Sequence, residues 1–323
     1  MMSLRQYCFL YIAVSSLIFC GVAGAKERIH FLIPGGAGGG WDMTARAVGE
    51  SLTRSSIIKT ASYENLSGAG GGRAIAYLID TAPRQTNTLM VNSASFILRS
   101  LLKKIPNNYN DLTPIASVIA DYGAFVVRID SPYIDWRDVI DDYRKDYRRV
   151  NIAGGSSRGS TDHVVAALAF SKSGLDVSRL KYIPYNAGGQ AMVGLLSGES
   201  QILSTGLSEA VTLAKQGEVR ILAITAPERL SLFPDVPTLQ EQNVDAVFAN
   251  WRGFFAPPGI ALDDINEYRS LLEDLVKVEG WQQLREARGW SSLHLSGTDF
   301  KQFLAMQEVD LSELLDELGL LEK

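Results

Sequence analysis

Between Ile33 and Arg46 the chain reads IPGGAGGGWDMTAR, and no other stretch restricts the fold as strongly. An apolar run, Ile29 with Phe31, Leu32 and Ile33, meets Pro34 and then five glycines among residues 35–40. A segment with helical spacing follows, from Trp41 to Leu52. The order is strand, glycine turn, helix. Glycine lets backbone come close to a ligand and adopt positive φ. The first turn of a helix leaves N–H groups unpaired behind a partial positive charge, so the junction suits an anion. That anion need not be a nucleotide. The spacing matches neither GxxxxGK followed by Ser or Thr nor a regular GxGxxG, and no lysine sits at the turn.

The first 25 residues read as an export leader: Arg5 is the positive end, Phe9 to Cys20 the apolar centre, and Ala23-Gly24-Ala25 the cleavage signal. Cleavage after Ala25 and a periplasmic location are expected. Cys8 and Cys20 are the two cysteines of the chain and both fall in the leader, so disulfides, thiol catalysis and cysteine metal sites drop out of the exported protein. The net charge of −5 becomes one unit more negative without Arg5, which argues against nucleic acid or an anionic membrane as a partner.

From Lys26 onward strands alternate with amphipathic helices, the pattern of an α/β fold with mainly parallel pairing. Asn65 to Arg73, NLSGAGGGR, is a second glycine cluster before a helix over 74–80. Leu89 to Val91 is a buried strand ending at Asn92-Ser93-Ala94-Ser95, and ligands of open α/β sheets sit at such ends. The opening pattern then returns: Val150 to Ala153 is a strand, Gly154 to Ser160 a glycine and serine turn, and Thr161 to Phe170 a helix capped by Ser160 or Thr161. Two strand-turn-helix junctions in separate halves can face each other across a cleft. Strands over 180–184 and 201–204 also end in polar turns, Tyr185 to Gln190 and Thr205 to Ser208. The helical tail from Leu262 to Leu321 is expected to pack on the first half. The halves are joined by segments crossing near 117–124 and 248–256.

Side chains at these turns supply the candidate chemistry. His30, His163 and His294 form no HExxH motif or three-ligand set, so neither a metal nor a cofactor is expected. Asp162 and His163 lie beside Ser160, but neighbours in one helical turn cannot form a Ser-His-Asp relay, and no GxSxG is present. Trp41 is a candidate pocket wall. Asp42 would repel an anion and is expected to hold its loop by hydrogen bonds. Arg158 is the cation inside a glycine turn and a candidate for bidentate recognition of a carboxylate; Arg46, Arg73 and Arg252 are weaker candidates. Ser93, Ser95, Ser156, Ser160, Thr161, Asn186 and Thr205 form a hydroxyl and amide set at strand ends.

Seven stretches in order carry a resemblance: PGGAGGGWDMTAR (34–46), NLSGAGGGR (65–73), DLTPIAS (111–117), GGSSRGSTDH (154–163), YIPYNAGGQA (182–191), ILAITAPERLSLFPDVPTLQEQNVD (221–245) and NWRGFFAPPGI (250–260). The chain resembles the substrate-binding proteins of tripartite tricarboxylate transporters, the Bug or TctC family. GGGWD, STDH and NWRG look closer to the tricarboxylate-type branch than to binders of amino acids or nicotinate.

The resemblance implies a periplasmic binding protein of type II, with two lobes and mixed sheets around a central cleft. Lobe one would be 26–118 with 252–323, and lobe two 119–251. It implies no enzyme activity but capture of a di- or tricarboxylate such as citrate by a monomer. Delivery would be to a permease of one large and one small membrane subunit. Carried onto this chain, the grip falls on Gly36, Ala37, Gly38, Gly39, Gly40 and Trp41 with Ser93, Ala94 and Ser95. The facing lobe would contribute Gly155, Ser156, Arg158, Gly159, Ser160 and Thr161. Tyr185, Asn186 and Gly188 would join them, as would Thr205 and Gly206. Arg158 stands where many relatives have a small residue. A ligand-presenting sensor subunit and an exported hydrolase are the alternatives.

Overall fold

The computed structural model describes residues 28–321, so the expected leader and its cleavage site lie outside the described residues. The first lobe begins with three strand-helix units: β1 (Arg28–Ile33) and α1 (Gly40–Arg54), β2 (Thr60–Asn65) and α2 (Gly72–Asp80), β3 (Thr88–Ser93) and α3 (Ala94–Leu101). A long strand, β4 (Thr113–Arg128), then leaves it. The second lobe holds α4 (Trp136–Lys145), β5 (Asn151–Gly154), α5 (Thr161–Lys172), β6 (Lys181–Pro184), α6 (Gly188–Leu196), β7 (Ile202–Gly206), α7 (Leu207–Lys215) and β8 (Val219–Ile224). The chain returns through β9 (Ala249–Ala256) and finishes with α8 (Leu262–Lys277), α9 (Glu279–Ala287), the two-residue β10 (Ser291–Ser292) and α10 (Gly297–Glu317).

The sheets are mixed. In lobe one β2, β1 and β3 run parallel, while β9 and β4 add antiparallel, with β10 on β4. In lobe two β7, β5 and β6 run parallel, and β4 pairs antiparallel with both β7 and β8. The departure from mainly parallel pairing comes from β4 and β9, the crossing strands, which must run out and back.

Both faces of the central strands are buried. Ile29, Phe31 and Ile33 of β1 enter one core with Val48, Leu52 and Phe254, whereas Leu32 faces another with Met90 and Phe255. A period of two therefore sorts a continuous apolar run between two layers.

β4 changes sheets between Tyr122, which pairs with Ala249 of β9, and Gly123, which pairs with Gly206 of β7. Thr225 ties the crossing segments at this point. Its N–H donates to the Gly123 carbonyl (2.8 Å), its hydroxyl donates to the Phe248 carbonyl (2.6 Å) and accepts from the Gly123 N–H (2.8 Å).

The tail departs from expectation in one respect. Tyr268, Leu272, Leu275 and Trp281 of α8 and α9 pack into the first lobe's core. α10 spans further, because 21 residues of helix cover about 30 Å. Its Phe300 packs edge-on against Trp251 of β9, while Glu317 near its end pairs with Lys172 of α5 at 2.6 Å. No helix among the described residues is long and apolar enough to cross a membrane.

Candidate functional site

Six parallel strands, three in each lobe, are each followed by a helix, and all six strand-to-helix junctions line one cavity of about 300 Å³. Lobe one contributes residues 34–36 and 39–41, the 67–71 loop, and Ser93 with Ser95. Lobe two contributes residues 155–157 and 160–162, residues 184–187, and Gly206 with Glu209. Asn250 and Arg252 of β9 complete the wall. The first-turn amides and positive ends of α1, α2, α3, α5, α6 and α7 therefore gather around one space.

The first and fourth junctions have the same local build. Gly38 and Gly159 each stand one residue before the helix cap and have φ of +76° and +77°. In each, the capping residue's N–H turns back to a carbonyl three residues earlier, Gly39 to Gly36 at 3.4 Å and Ser160 to Ser157 at 3.0 Å. A side chain with Cβ is strained at such φ, which explains a glycine at both places. The rest of the first loop is pinned by Asp42. Its carboxylate accepts from the Gly38 N–H of the loop (3.0 Å), from Arg46 Nε of α1 (2.8 Å) and from Asn65 Nδ2 at the end of β2 (3.0 Å). Trp41 donates from Nε1 to Ser93 Oγ (3.1 Å), joining the first junction to the third.

The lobes touch across the cleft. Ser95 Oγ lies 2.6 Å from Thr161 Oγ1 and accepts from the Thr161 N–H at 3.3 Å. Arg99 of α3 donates from Nη1 to Ser157 Oγ (2.8 Å) and to the Arg158 carbonyl (3.2 Å). Burial holds the Arg99 guanidinium below its ordinary range.

Of the residues expected from sequence, Gly36, Gly39, Gly40, Trp41, Ser93, Ser95, Gly155, Ser156, Ser160, Thr161, Tyr185, Asn186 and Gly206 line the cavity together. Ala37, Gly38, Ala94, Gly159, Gly188 and Thr205 do not line it, and Ala37 and Gly38 are exposed. Gly188 and Thr205 nonetheless shape it: a Cβ on Gly188 would overlap the Glu209 carboxyl, and Thr205 Oγ1 donates to that carboxyl. Arg158 requires a correction. Its side chain is exposed and donates to the Tyr182 carbonyl (2.6 Å), so it turns along the outside of the turn rather than into the cleft. His163 is buried, accepts from the Gly159 N–H (3.2 Å) and packs edge-on against Tyr182. Burial and the nearby Arg158 charge lower its pKa to about 4. Ser160 Oγ meets Ser157 Oγ at 3.1 Å, so Ser160 and His163 form no relay.

Sequence reasoning left several lining residues out. The 67–71 loop was visible as a glycine cluster, and Gly68, Gly70 and Gly71 all take positive φ. Arg252, one of the weaker arginine candidates, lines the wall with Asp162 and Glu209, which were not expected there. Arg252 is buried, with Nη2 at 3.1 Å from the fully buried Asp121 carboxylate and Nη1 donating to Thr44 Oγ1 (3.2 Å). A Cβ on Gly40 would overlap its guanidinium. Burial, with the Glu209 charge second, raises the Asp162 carboxyl to about 7; burial also raises Glu209.

With the fold and the cavity in place, comparison with known proteins is decisive on kinship. The family profile described as Tripartite tricarboxylate transporter family receptor, TctC, matches residues 44–320. This chain belongs to that family. A UPF0065 protein of Bordetella pertussis is 24% identical over 301 residues, covering 91% of this chain and 90% of the relative. The periplasmic binding protein BugD superposes with a TM-score of 0.83 at 21% identity, covering 92% of this chain and 99% of BugD. MatC of Rhodopseudomonas palustris, solved with bound malate, gives a TM-score of 0.80 at 20% identity, covering 90% and 99%. At these identities BugD and MatC establish a shared fold.

Proposed function

We propose that this protein is a periplasmic solute receptor, not an enzyme, that captures a small di- or tricarboxylate of the citrate or malate type. It would work as a monomer exported after cleavage at Ala25 and deliver its guest to a permease of a large and a small membrane subunit. One observation carries the reading: six helix starts, three from each lobe, surround a single cavity of about 300 Å³. Backbone amides and dipole ends at helix starts favour an anion, and hydroxyls at Ser93, Ser95, Ser156, Ser160 and Thr161 add donors. MatC, with the same fold, was solved with malate.

Contacts such as Ser95 to Thr161 exist only when the lobes meet. A guest touching both lobes therefore favours the closed form through its differential affinity. The change of sheet at Tyr122 and Gly123, and the return at Phe248, support lobe boundaries a few residues from 118 and 252. Isothermal titration of the purified protein with citrate, tricarballylate, malate and succinate tests the reading. Saturable one-to-one heat with at least one acid is expected; no heat and no thermal shift with any of them would refute it.

A further inference from the structure

We propose that the cavity binds a proton together with its anionic guest, and that Asp162 and Glu209 are the carboxyl groups that share it. The proposal rests on the carboxylate reading above and adds a second, smaller ligand to the same site. Both residues line the cavity from the first turns of neighbouring helices in lobe two, α5 and α7. Glu209 accepts from the Thr205 hydroxyl, in the space that Gly188 leaves open, and the Gly40 N–H of the opposite lobe favours its ionised form. The Asp162 N–H donates to Ser156 Oγ (3.3 Å), and Ser156 and the Gly155 N–H favour the ionised form of its carboxyl.

The Arg252 charge favours the ionised form of both carboxyls, but its ion pair is with Asp121. Among the described lining residues Arg252 is the one cation, and its Nη2 already faces Asp121 at 3.1 Å. The other charged or titratable groups around the pair are committed elsewhere. On β6, Tyr182 donates to the Ser156 carbonyl at 2.7 Å. Behind the α5 turn, Arg158 donates to the Tyr182 carbonyl and His163 accepts from Gly159. From α3, Arg99 donates to Ser157 and the Arg158 carbonyl; on α1, Asp42 faces Arg46 and Asn65.

A guest carboxylate resting on the helix starts leaves its further carboxylates in the same small space as Asp162 and Glu209. Like charges sharing a desolvated site raise each other's proton affinity until one proton is retained. That proton comes from solvent, and the complex gains one positive charge relative to the sum of its free parts. The raised Asp162 pKa in the free protein is consistent with a group already near that threshold.

The test is titration calorimetry at pH 8 with citrate, or with malate if citrate gives no heat, in phosphate, HEPES and Tris, whose ionisation enthalpies differ. The expected result is uptake of about one proton per guest, affinity falling up to tenfold per pH unit above pH 8, and uptake near zero in Asp162→Asn. Glu209→Gln serves as the second variant, with the same loss expected. Buffer-independent heat in the wild type overturns the proposal. So does full uptake in both variants, which would place the proton on the guest. Absence of heat with every acid instead refutes the carboxylate reading on which the proposal rests.

Discussion

Arg99 offers the clearest single perturbation of lobe closure. It belongs to α3 of the first lobe, is 7% exposed, and reaches Ser157 and the Arg158 carbonyl of the second. Each of these bonds has a charged donor and is worth about 1.5–3 kcal/mol. Against them stand the burial of the guanidinium and its Nε, which has no partner, a penalty of about 1–3 kcal/mol. Two bonds at about 3–6 kcal/mol together, less the penalty, leave about 2–3 kcal/mol in favour of the closed form, a factor of about 30–150 in its population. Arg99→Met keeps the stem and removes both bonds. With the proposed guest held between the lobes, apparent affinity is expected to fall by that factor, and small-angle scattering of the unliganded variant to shift towards a larger radius of gyration. A Kd within twofold of the wild type and an unchanged scattering curve would refute the assignment of Arg99 as a clasp.

Three further outcomes follow from the geometry. Gly155→Ala places a Cβ into the backbone of Gly188 and Ala187, where no side chain can yield; a loss of about 1–3 kcal/mol in urea unfolding and at least a tenfold loss of affinity are expected. Thr225→Val strips the hydroxyl that bridges Gly123 and Phe248 at the crossing point, and should cost about 2 kcal/mol or more on the same assay, because two buried backbone groups lose their partner. In the pH dependence of the melting temperature two groups oppose each other. Asp162 keeps its proton to about 7 in the folded protein, so its contribution is full below the ordinary carboxylate range and is lost as pH rises to about 7. His163 stays neutral to about 4, so its contribution is lost as pH falls from about 6.5 to 4. The two windows overlap between about pH 4 and 6.5, so Asp162→Asn should leave stability rising with pH across that range and His163→Gln should leave it falling; unchanged slopes would contradict the assignments.

Much of the fold was legible because local signals agree with it. The run at Ile29 to Ile33 before PGGAGGG, and Val150 to Ala153 before GGSSRGS, announce strand, turn and helix at both ends of the cleft, and their matching glycines at 38 and 159 share one backbone conformation. The polar turn after Leu89 to Val91 is real but shorter than expected, since Ser93 ends β3 and caps α3 directly. Less was legible about side chains. Arg158 looked like a ligand contact because it sits in a glycine turn, yet nothing local reveals that the Tyr182 carbonyl, 24 residues on, claims its guanidinium. Asp162, Glu209 and Arg252 come from three different elements, and only tertiary structure brings them to one wall. The Arg252 to Asp121 pair depends on β4 and β9 being neighbours, which no periodicity within either strand encodes.

The position of a bound acid tests the two-lobed cavity most directly. A crystal structure of the protein with citrate or malate, or with whatever guest survives purification, is expected to show carboxylate oxygens within hydrogen-bonding distance of amides from both residues 36–41 and residues 155–161. An acid held by exposed side chains outside this cavity, or a cavity that stays without a guest at millimolar citrate and malate, would contradict it.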